Sequence, residues 1–143
     1  MANDILYFDD ISEGIELPEV KKGPITRQQL VDYASASGDY NPIHYDKSMA
    51  KMARLEGCIV HGMLSMAIIG SYITDWAKGG VLKNFKVKFS GITPEGSTIF
   101  MKGKVIKKYK ENGENLVEIE VTSELKNKII TTQGSAIIAF KTR

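Results

Sequence analysis

The sequence predicts an α+β fold in which an antiparallel sheet curls around one long apolar helix. One observation is a run of apolar residues at helical spacing over about residues 62–77. Another is a series of segments after that run in which apolar and polar residues alternate, as they do in strands. The chain has 143 residues, 43% of them hydrophobic, which fits a single globular domain over residues 1–143.

The first predicted helix covers residues 26–37. Thr26 is a suitable N-cap, and Gln29 stands three residues later, as in a capping box. Gly38 is expected to end the helix. Its apolar residues are expected to share one buried face: Leu30, Val31 and Ala34.

A polar elbow over residues 37–44 follows that helix. Pro42 is expected to hold Asn41 out of the helical region of backbone conformation. A short second helix is then predicted from Asp46, its N-cap, to about Leu55.

The strongest helix prediction is the central one, over about residues 62–77. A helix of this length spans roughly 24 Å, and its apolar residues nearly encircle the axis, so other structure is expected to wrap it. Ser65, Ser71 and Asp75 interrupt the stretch, which favours a buried helix over a membrane span.

The remaining chain is predicted to form the sheet. Asn112-Gly113 is a typical hairpin turn pair, and Asn127-Lys128 is expected to turn the chain into its last strand. We expect three or four long antiparallel strands and one further strand before the first helix. The predicted strands cover residues 15–20, 85–90, 99–105, 117–122 and 129–140.

Cysteine content and the N-terminal residues indicate the compartment. Cys58 is the single cysteine, so no disulfide is expected within the chain. The N-terminal residues lack the basic start and apolar run of a secretory signal. Both features predict a cytoplasmic location without membrane insertion.

Only two histidines exist, His44 and His61, and one of them stands close to a carboxylate in sequence. Asp39 and His44 lie five residues apart across the stiff elbow, which can aim both side chains at one point. A carboxylate and an imidazole that share one water form a proton-transfer pair. The residues alone leave another interpretation open, in which Asp39 caps a turn and His44 packs in the interior.

Two motifs carry a family resemblance. Residues 33–44 read Tyr-Ala-Ser-Ala-Ser-Gly-Asp-Tyr-Asn-Pro-Ile-His, and residues 59–64 read Ile-Val-His-Gly-Met-Leu. Together they resemble the MaoC-like, (R)-specific enoyl-thioester hydratases and dehydratases, over about residues 25–105. Within that family, the dyad-bearing single-domain dehydratase subunits of mycobacterial fatty-acid elongation look most similar. The resemblance implies a hot-dog fold, which agrees with the predicted sheet around a helix.

The resemblance also implies a reaction and its catalytic residues. The reaction is reversible hydration of trans-2-enoyl thioesters, or dehydration of (R)-3-hydroxyacyl thioesters, carried by coenzyme A or acyl carrier protein. Asp39 and His44 would form the catalytic dyad, with no cofactor. The backbone N–H of Gly62 would stabilise the enolate oxygen at the N-terminus of the central helix. The alternative for Gly62 is a packing glycine.

Further residues are assigned around this site. Asn41 is expected to support the dyad through side-chain hydrogen bonds or to cap its own turn, and Met63 to contact or support bound substrate. We expect His61 to be bonded to backbone near the site. Gly70 stands where several family members carry a serine, which implies a larger space near the acyl chain.

No metal site is expected. Three residues, Asp39, His44 and His61, would have to converge to hold an ion. Nothing at their spacing resembles a metal-ligand pattern.

Charge is distributed unevenly along the chain. Residues 1–77 carry a net charge of −5, whereas residues 78–110 carry nine lysines against Glu95, a net charge of +8. Lys86 and Lys88 are predicted to lie on a sheet face that docks the phosphates of coenzyme A or an acidic acyl carrier protein. An ordinary solvated sheet face is the alternative. Nucleic acid is not an expected partner, because the lysines are not interleaved with exposed aromatic residues or arginines.

The resemblance implies at least a dimer, either a homodimer or a heterodimer with a related hot-dog subunit. Two other functions stay open. A hot-dog acyl thioesterase usually has a carboxylate on the central helix, where Asp75, near the far end from Gly62, is the only one. A non-catalytic acyl-binding subunit would have no need of Asp39 and His44.

Overall fold

A computed structural model describes residues 4–143 of the chain. The first three residues, on which part of the signal-peptide prediction falls, lie outside this range. Three α-helices, two short 3-10 turns and one five-stranded sheet make up the regular structure of the described chain. The helices are α1 (Arg27–Ser37), α2 (Lys47–Met52) and α3 (Gly62–Trp76). The strands are β1 (Glu16–Lys22), β2 (Val81–Phe89), β3 (Ile99–Glu111), β4 (Glu114–Glu124) and β5 (Ile130–Phe140).

The sheet is antiparallel throughout and curls around α3, which confirms the predicted fold class. Its strand order is β1-β3-β4-β5-β2, so β1 and β2 are the edges. Ile69 and Ile73 of α3 are fully buried against the inward-facing side chains of the sheet. The Tyr72 hydroxyl donates to the Pro18 carbonyl at 2.8 Å and so ties α3 to the β1 edge. The sheet residues in this core include Met101, Val105, Ile119, Val121 and Ile138.

The turns form where the sequence predicts them. Asn112 and Gly113 have φ angles of 51° and 78°, the left-handed pair that a tight hairpin between β3 and β4 needs. Lys128 also takes a positive φ, 71°, before β5. Helix α2 ends earlier than predicted, because Arg54 adopts a left-handed φ of 64° that stops the helix before Leu55.

One burial prediction is wrong, and one face of α3 is left uncovered by the chain's own sheet. Within one chain the sheet covers α3 from one side, and Met63, Ala67 and Ser71, spaced four residues apart, form an exposed stripe on the other. Val31 is likewise 43% exposed rather than part of the buried face of α1. Among residues 4–143, no helix is long and apolar enough to cross a membrane. The cytoplasmic location stays a prediction.

Candidate active site

The elbow after α1 is held by a chain of local hydrogen bonds. The capping box predicted for α1 is present, with Thr26 and Gln29 each accepting from the other's backbone N–H. Gly38 ends the helix in the left-handed conformation, with φ 78°. The Asp39 N–H then donates to the Ser37 hydroxyl at 3.1 Å. The carboxylate of Asp39 therefore leaves α1 in a defined direction.

The two carboxylate oxygens of Asp39 have different environments. Oδ1 accepts the Asn41 backbone N–H at 3.2 Å, whereas Oδ2 lies 3.7 Å from Nε2 of His44. The side-chain oxygen of Asn41 accepts the Ile43 N–H at 3.2 Å, so Asn41 caps its own turn. Of the two roles expected for Asn41, its side chain fills the turn-capping one, and its backbone supports Asp39.

His44 ends a 3-10 turn over Pro42–His44 and is buried. Its Nδ1 lies 2.8 Å from the Ile59 carbonyl oxygen, which can only accept, so Nδ1 carries the proton of the neutral ring. The lone pair of Nε2 then faces Asp39. The His44 side chain is 8% exposed and that of Asp39 is 51% exposed, so solvent reaches the pair from the carboxylate side. A water molecule between them can donate one hydrogen bond to each group.

His61 is buried, and its ring stacks on the ring of His44. Its ring lies 3.7 Å from that of His44, at an interplanar angle of 21°, and it meets Tyr33 edge-on at 4.9 Å. Within residues 4–143 neither ring nitrogen of His61 has a hydrogen-bond partner, although the residue is 1% exposed. The bond of His61 to backbone stays a prediction, because the Asp39 backbone lies near enough to the ring to raise its pKa. A buried polar group without a partner costs about 1–3 kcal/mol.

The electrostatics of His61 favour its neutral form. Burial lowers the pKa of the imidazole below its usual value, and the neighbouring His44 lowers it further. The backbone and the charge of Asp39 raise the pKa of His61, but by less than burial lowers it.

Asp39, His44 and His61 converge, which their spacing in sequence did not lead us to expect. Their potential ligand atoms lie within 4.8 Å of one another. The stacked rings are nearly parallel, however, so the in-plane lone pairs of the two histidines do not point at one ion. The absence of a metal site stays a prediction.

Gly62 is the first residue of α3, directly after His61. The N–H groups of a first helical turn have no acceptor within the helix, and the N-cap His61 supplies no side-chain bond. The Gly62 N–H is thus free to bind an anion beside the histidine pair. A Cβ added at Gly62 would lie 3.2 Å from the ring of Phe89, which is 48% exposed. The sequence pattern placed Phe89 in a strand face and did not indicate that it flanks the site.

The other predicted residues lie around this centre. Met63 is 57% exposed in the first turn of α3. A Cβ added at Gly70 would stand 3.4 Å from the Phe85 ring, in ordinary van der Waals contact, and the larger space near the acyl chain stays a prediction. Lys86 and Lys88 are exposed on β2. Asp75 lies in the last turn of α3, about 20 Å along the helix from Gly62.

Comparison with known proteins identifies the class of protein to which this fold and site belong. The hot-dog fold is shared with an R-hydratase from Pseudomonas aeruginosa, at a TM-score of 0.86 and 23% identity over 96% of this chain and 86% of that one. A family model described as "MaoC like domain" matches residues 13–129. The chain belongs to this family of MaoC-like hydratases and dehydratases.

Curated relatives match over part of their length. The chain is 39% identical over 74 residues to the peroxisomal hydratase-dehydrogenase-epimerase of Neurospora crassa, covering 52% of this chain and 8% of that protein. It is 32% identical over 69 residues to the 3-hydroxybutyryl-CoA dehydratase of Methylorubrum extorquens, covering 48% of this chain and 43% of that protein. The matches thus span less than half of either relative.

Proposed function

We propose that this chain is a hydro-lyase that reversibly hydrates trans-2-enoyl thioesters to (R)-3-hydroxyacyl thioesters. The observation that carries the proposal is the 3.7 Å separation of Asp39 Oδ2 and His44 Nε2 beside the N-terminus of α3. The resemblance of residues 33–44 and 59–64 to the hydratase motif, and the names of the matched relatives, support the substrate class.

In the hydration direction, the dyad binds one water and removes a proton from it as its oxygen attacks Cβ of the enoyl group. The electron pair of the double bond shifts toward the carbonyl, and negative charge develops on the thioester oxygen. The Gly62 N–H donates to that oxygen, aided by the helix dipole. The dyad then delivers the proton to Cα, so one water is added across the bond. Dehydration is the same path reversed.

The environments of the two groups suit this task. Because the Asn41 N–H occupies Oδ1 of Asp39, Oδ2 is the oxygen left to accept from the water. Because the Ile59 carbonyl holds the Nδ1 proton of His44, Nε2 is the nitrogen left to receive one. After that transfer, the carboxylate of Asp39 stabilises the imidazolium.

The reaction can be tested with crotonyl-CoA as substrate. Loss of the conjugated enoyl absorbance without release of free thiol is the expected result. Thiol release would instead indicate a thioesterase. If neither absorbance loss nor thiol release occurs with coenzyme A or acyl carrier protein substrates, the chain is a non-catalytic acyl-binding subunit.

A second chain is proposed to pair along β2. The β1 edge contains Pro18, which has no backbone N–H to donate and so discourages further pairing. The β2 edge has nine residues without proline and an open row of backbone donors and acceptors. Phe89 and Met63, 48% and 57% exposed, would be covered by an identical or related hot-dog subunit. Light scattering is expected to show a mass of at least twice 15.8 kDa in a homomeric preparation or with the related subunit. A monomer in both preparations would contradict this proposal.

Lys86 and Lys88 are proposed to dock the carrier of the thioester. Charge reversal, Lys86→Glu or Lys88→Glu, is expected to raise KM for the carrier substrate several-fold while leaving kcat nearly unchanged, because the lysines attract phosphate without touching the reacting atoms. Lys110→Glu, the same change at the opposite end of the sheet, is the matched control. If KM is the same in Lys86→Glu, Lys88→Glu and the control Lys110→Glu, the two lysines belong to an ordinary solvated sheet face.

A further inference from the structure

We propose that His61 is a positioning residue, whose neutral ring stacks on His44 and holds the Nε2 atom of His44 toward Asp39 without exchanging a proton itself. The kinetic part of this inference rests on the proposed hydratase function. The structural part, the state of the two rings, does not.

The ring of His44 is held by two contacts. Its hydrogen bond from Nδ1 to the Ile59 carbonyl fixes one atom of the ring but allows the ring to pivot about that bond. The ring of His61, stacked 3.7 Å away at 21°, blocks that pivoting from one face. Ile59 and His61 belong to the same short segment before α3, so one backbone segment sets both constraints.

His61 is buried, and neither of its ring nitrogens has an acceptor at hydrogen-bond distance and angle, although the Asp39 backbone is near enough to raise its pKa. A charged imidazole would present two N–H donors there. The groups that face the ring are Tyr33 from α1, Asp39 from the elbow and His44 from the 3-10 turn. Burial lowers the pKa of His61, with His44 as the next cause and Asp39 opposing. His61 is therefore neutral when His44 takes up a proton, and it does not repel the imidazolium.

The imidazole of His61 is a flat ring that lies between the Tyr33 ring at 4.9 Å and the His44 ring at 3.7 Å. Among the buried side-chain nitrogen and oxygen atoms of residues 4–143, the two ring nitrogens of His61 are the ones without a hydrogen-bond partner at bonding distance. Packing alone does not explain a polar ring without a hydrogen-bond partner at this position. Holding the ring of His44 in place does explain a flat neutral ring there.

The structural part can be tested by NMR, because the chain has two histidines whose ring nitrogens give separable signals. In the intact protein, the His61 ring is expected to lose its proton at a lower pH than an ordinary imidazole does, because burial disfavours the charged form. His44 is expected in the tautomer with the proton on Nδ1. A His61 ring that titrates like an exposed imidazole would overturn the proposal, and this measurement needs no variant.

The kinetic part uses two substitutions. His61→Ala removes the stacked ring, and kcat is expected to fall about tenfold with KM within about threefold, as for a misplaced catalytic group. The His44 tautomer should become mixed. His61→Phe restores a flat ring without nitrogens, and kcat is expected to recover to within about threefold of the original enzyme.

The outcomes separate this inference from the proposed function. Wild-type kcat and an unchanged His44 tautomer in His61→Ala would overturn the positioning role. So would a His61→Phe variant that is folded by circular dichroism yet as slow as His61→Ala. If the original protein does not hydrate any enoyl thioester, the hydratase proposal fails, while the NMR measurements still decide whether His61 positions His44.

Discussion

Asp39→Asn and His44→Ala are each expected to lower kcat for enoyl-thioester hydration by at least about a hundredfold. The reason lies in the geometry of the pair. Asp39 Oδ2 and His44 Nε2 face each other at 3.7 Å, each with its other polar atom already engaged. Removing either leaves the water with one partner, and the remaining group must take the proton without its neighbour to position the water or to stabilise the resulting charge. The change should appear in kcat more than in KM, since neither side chain is assigned to carrier binding.

Asp39→Asn is the sharper of these two variants, because it alters charge with little change of shape. The amide oxygen of asparagine can still accept the Asn41 N–H, so the elbow should keep its conformation. Asp39 is also 51% exposed, so the fold does not depend on its burial. Asp32→Asn, on the exposed side of α1, is the matched control and should leave kcat unchanged. Near wild-type activity in Asp39→Asn or His44→Ala would remove the dyad from the mechanism.

Gly62→Pro is expected to lower kcat by about 10²- to 10³-fold, the usual effect of removing one oxyanion donor. Proline at the first position of a helix keeps the helix but has no N–H to donate. The preceding residue, His61, has φ −58° and ψ 135°, a conformation that a following proline permits. The substitution therefore deletes the proposed donor with little change to the backbone of α3.

Gly62→Ala is the control for bulk, because it adds a Cβ but retains the N–H. That Cβ would approach the Phe89 ring at 3.2 Å, and Phe89 is exposed enough to shift by a few tenths of an ångström. Its kcat is expected to stay within about tenfold of the original enzyme, well above that of Gly62→Pro. Equal losses in the two variants, with α3 intact by circular dichroism, would show that bulk and not the N–H matters at this position.

Local signals predicted most of the elements correctly. The capping pair Thr26 and Gln29, the end of α1 at Gly38 and the turn at Asn112-Gly113 depend on residues a few positions apart, and all three are present. The sheet strands follow from alternation along a single segment, which also depends on near neighbours. Asp39 and His44 could be predicted as a pair for the same reason, since a stiff five-residue elbow joins them.

Burial and pairing across the molecule could not be read from those signals. The face of α3 that carries Met63 and Ala67 is exposed because the sheet of one chain covers one side of the helix. The Phe85 ring lies beside Gly70, although the two residues stand on different elements and nothing in their spacing relates them. Arg54 ended α2 early through a backbone conformation that its residue type does not favour.

The sequence by itself determined the class of fold, the family and the pairing of Asp39 with His44, because helix caps, strand alternation and the two motifs act over short stretches of chain. Only the tertiary structure decided that the His61 ring stacks on the His44 ring and that Phe89 flanks Gly62. These contacts join the elbow, α3 and β2. Their geometry depends on how the sheet closes around the helix, which no local pattern encodes.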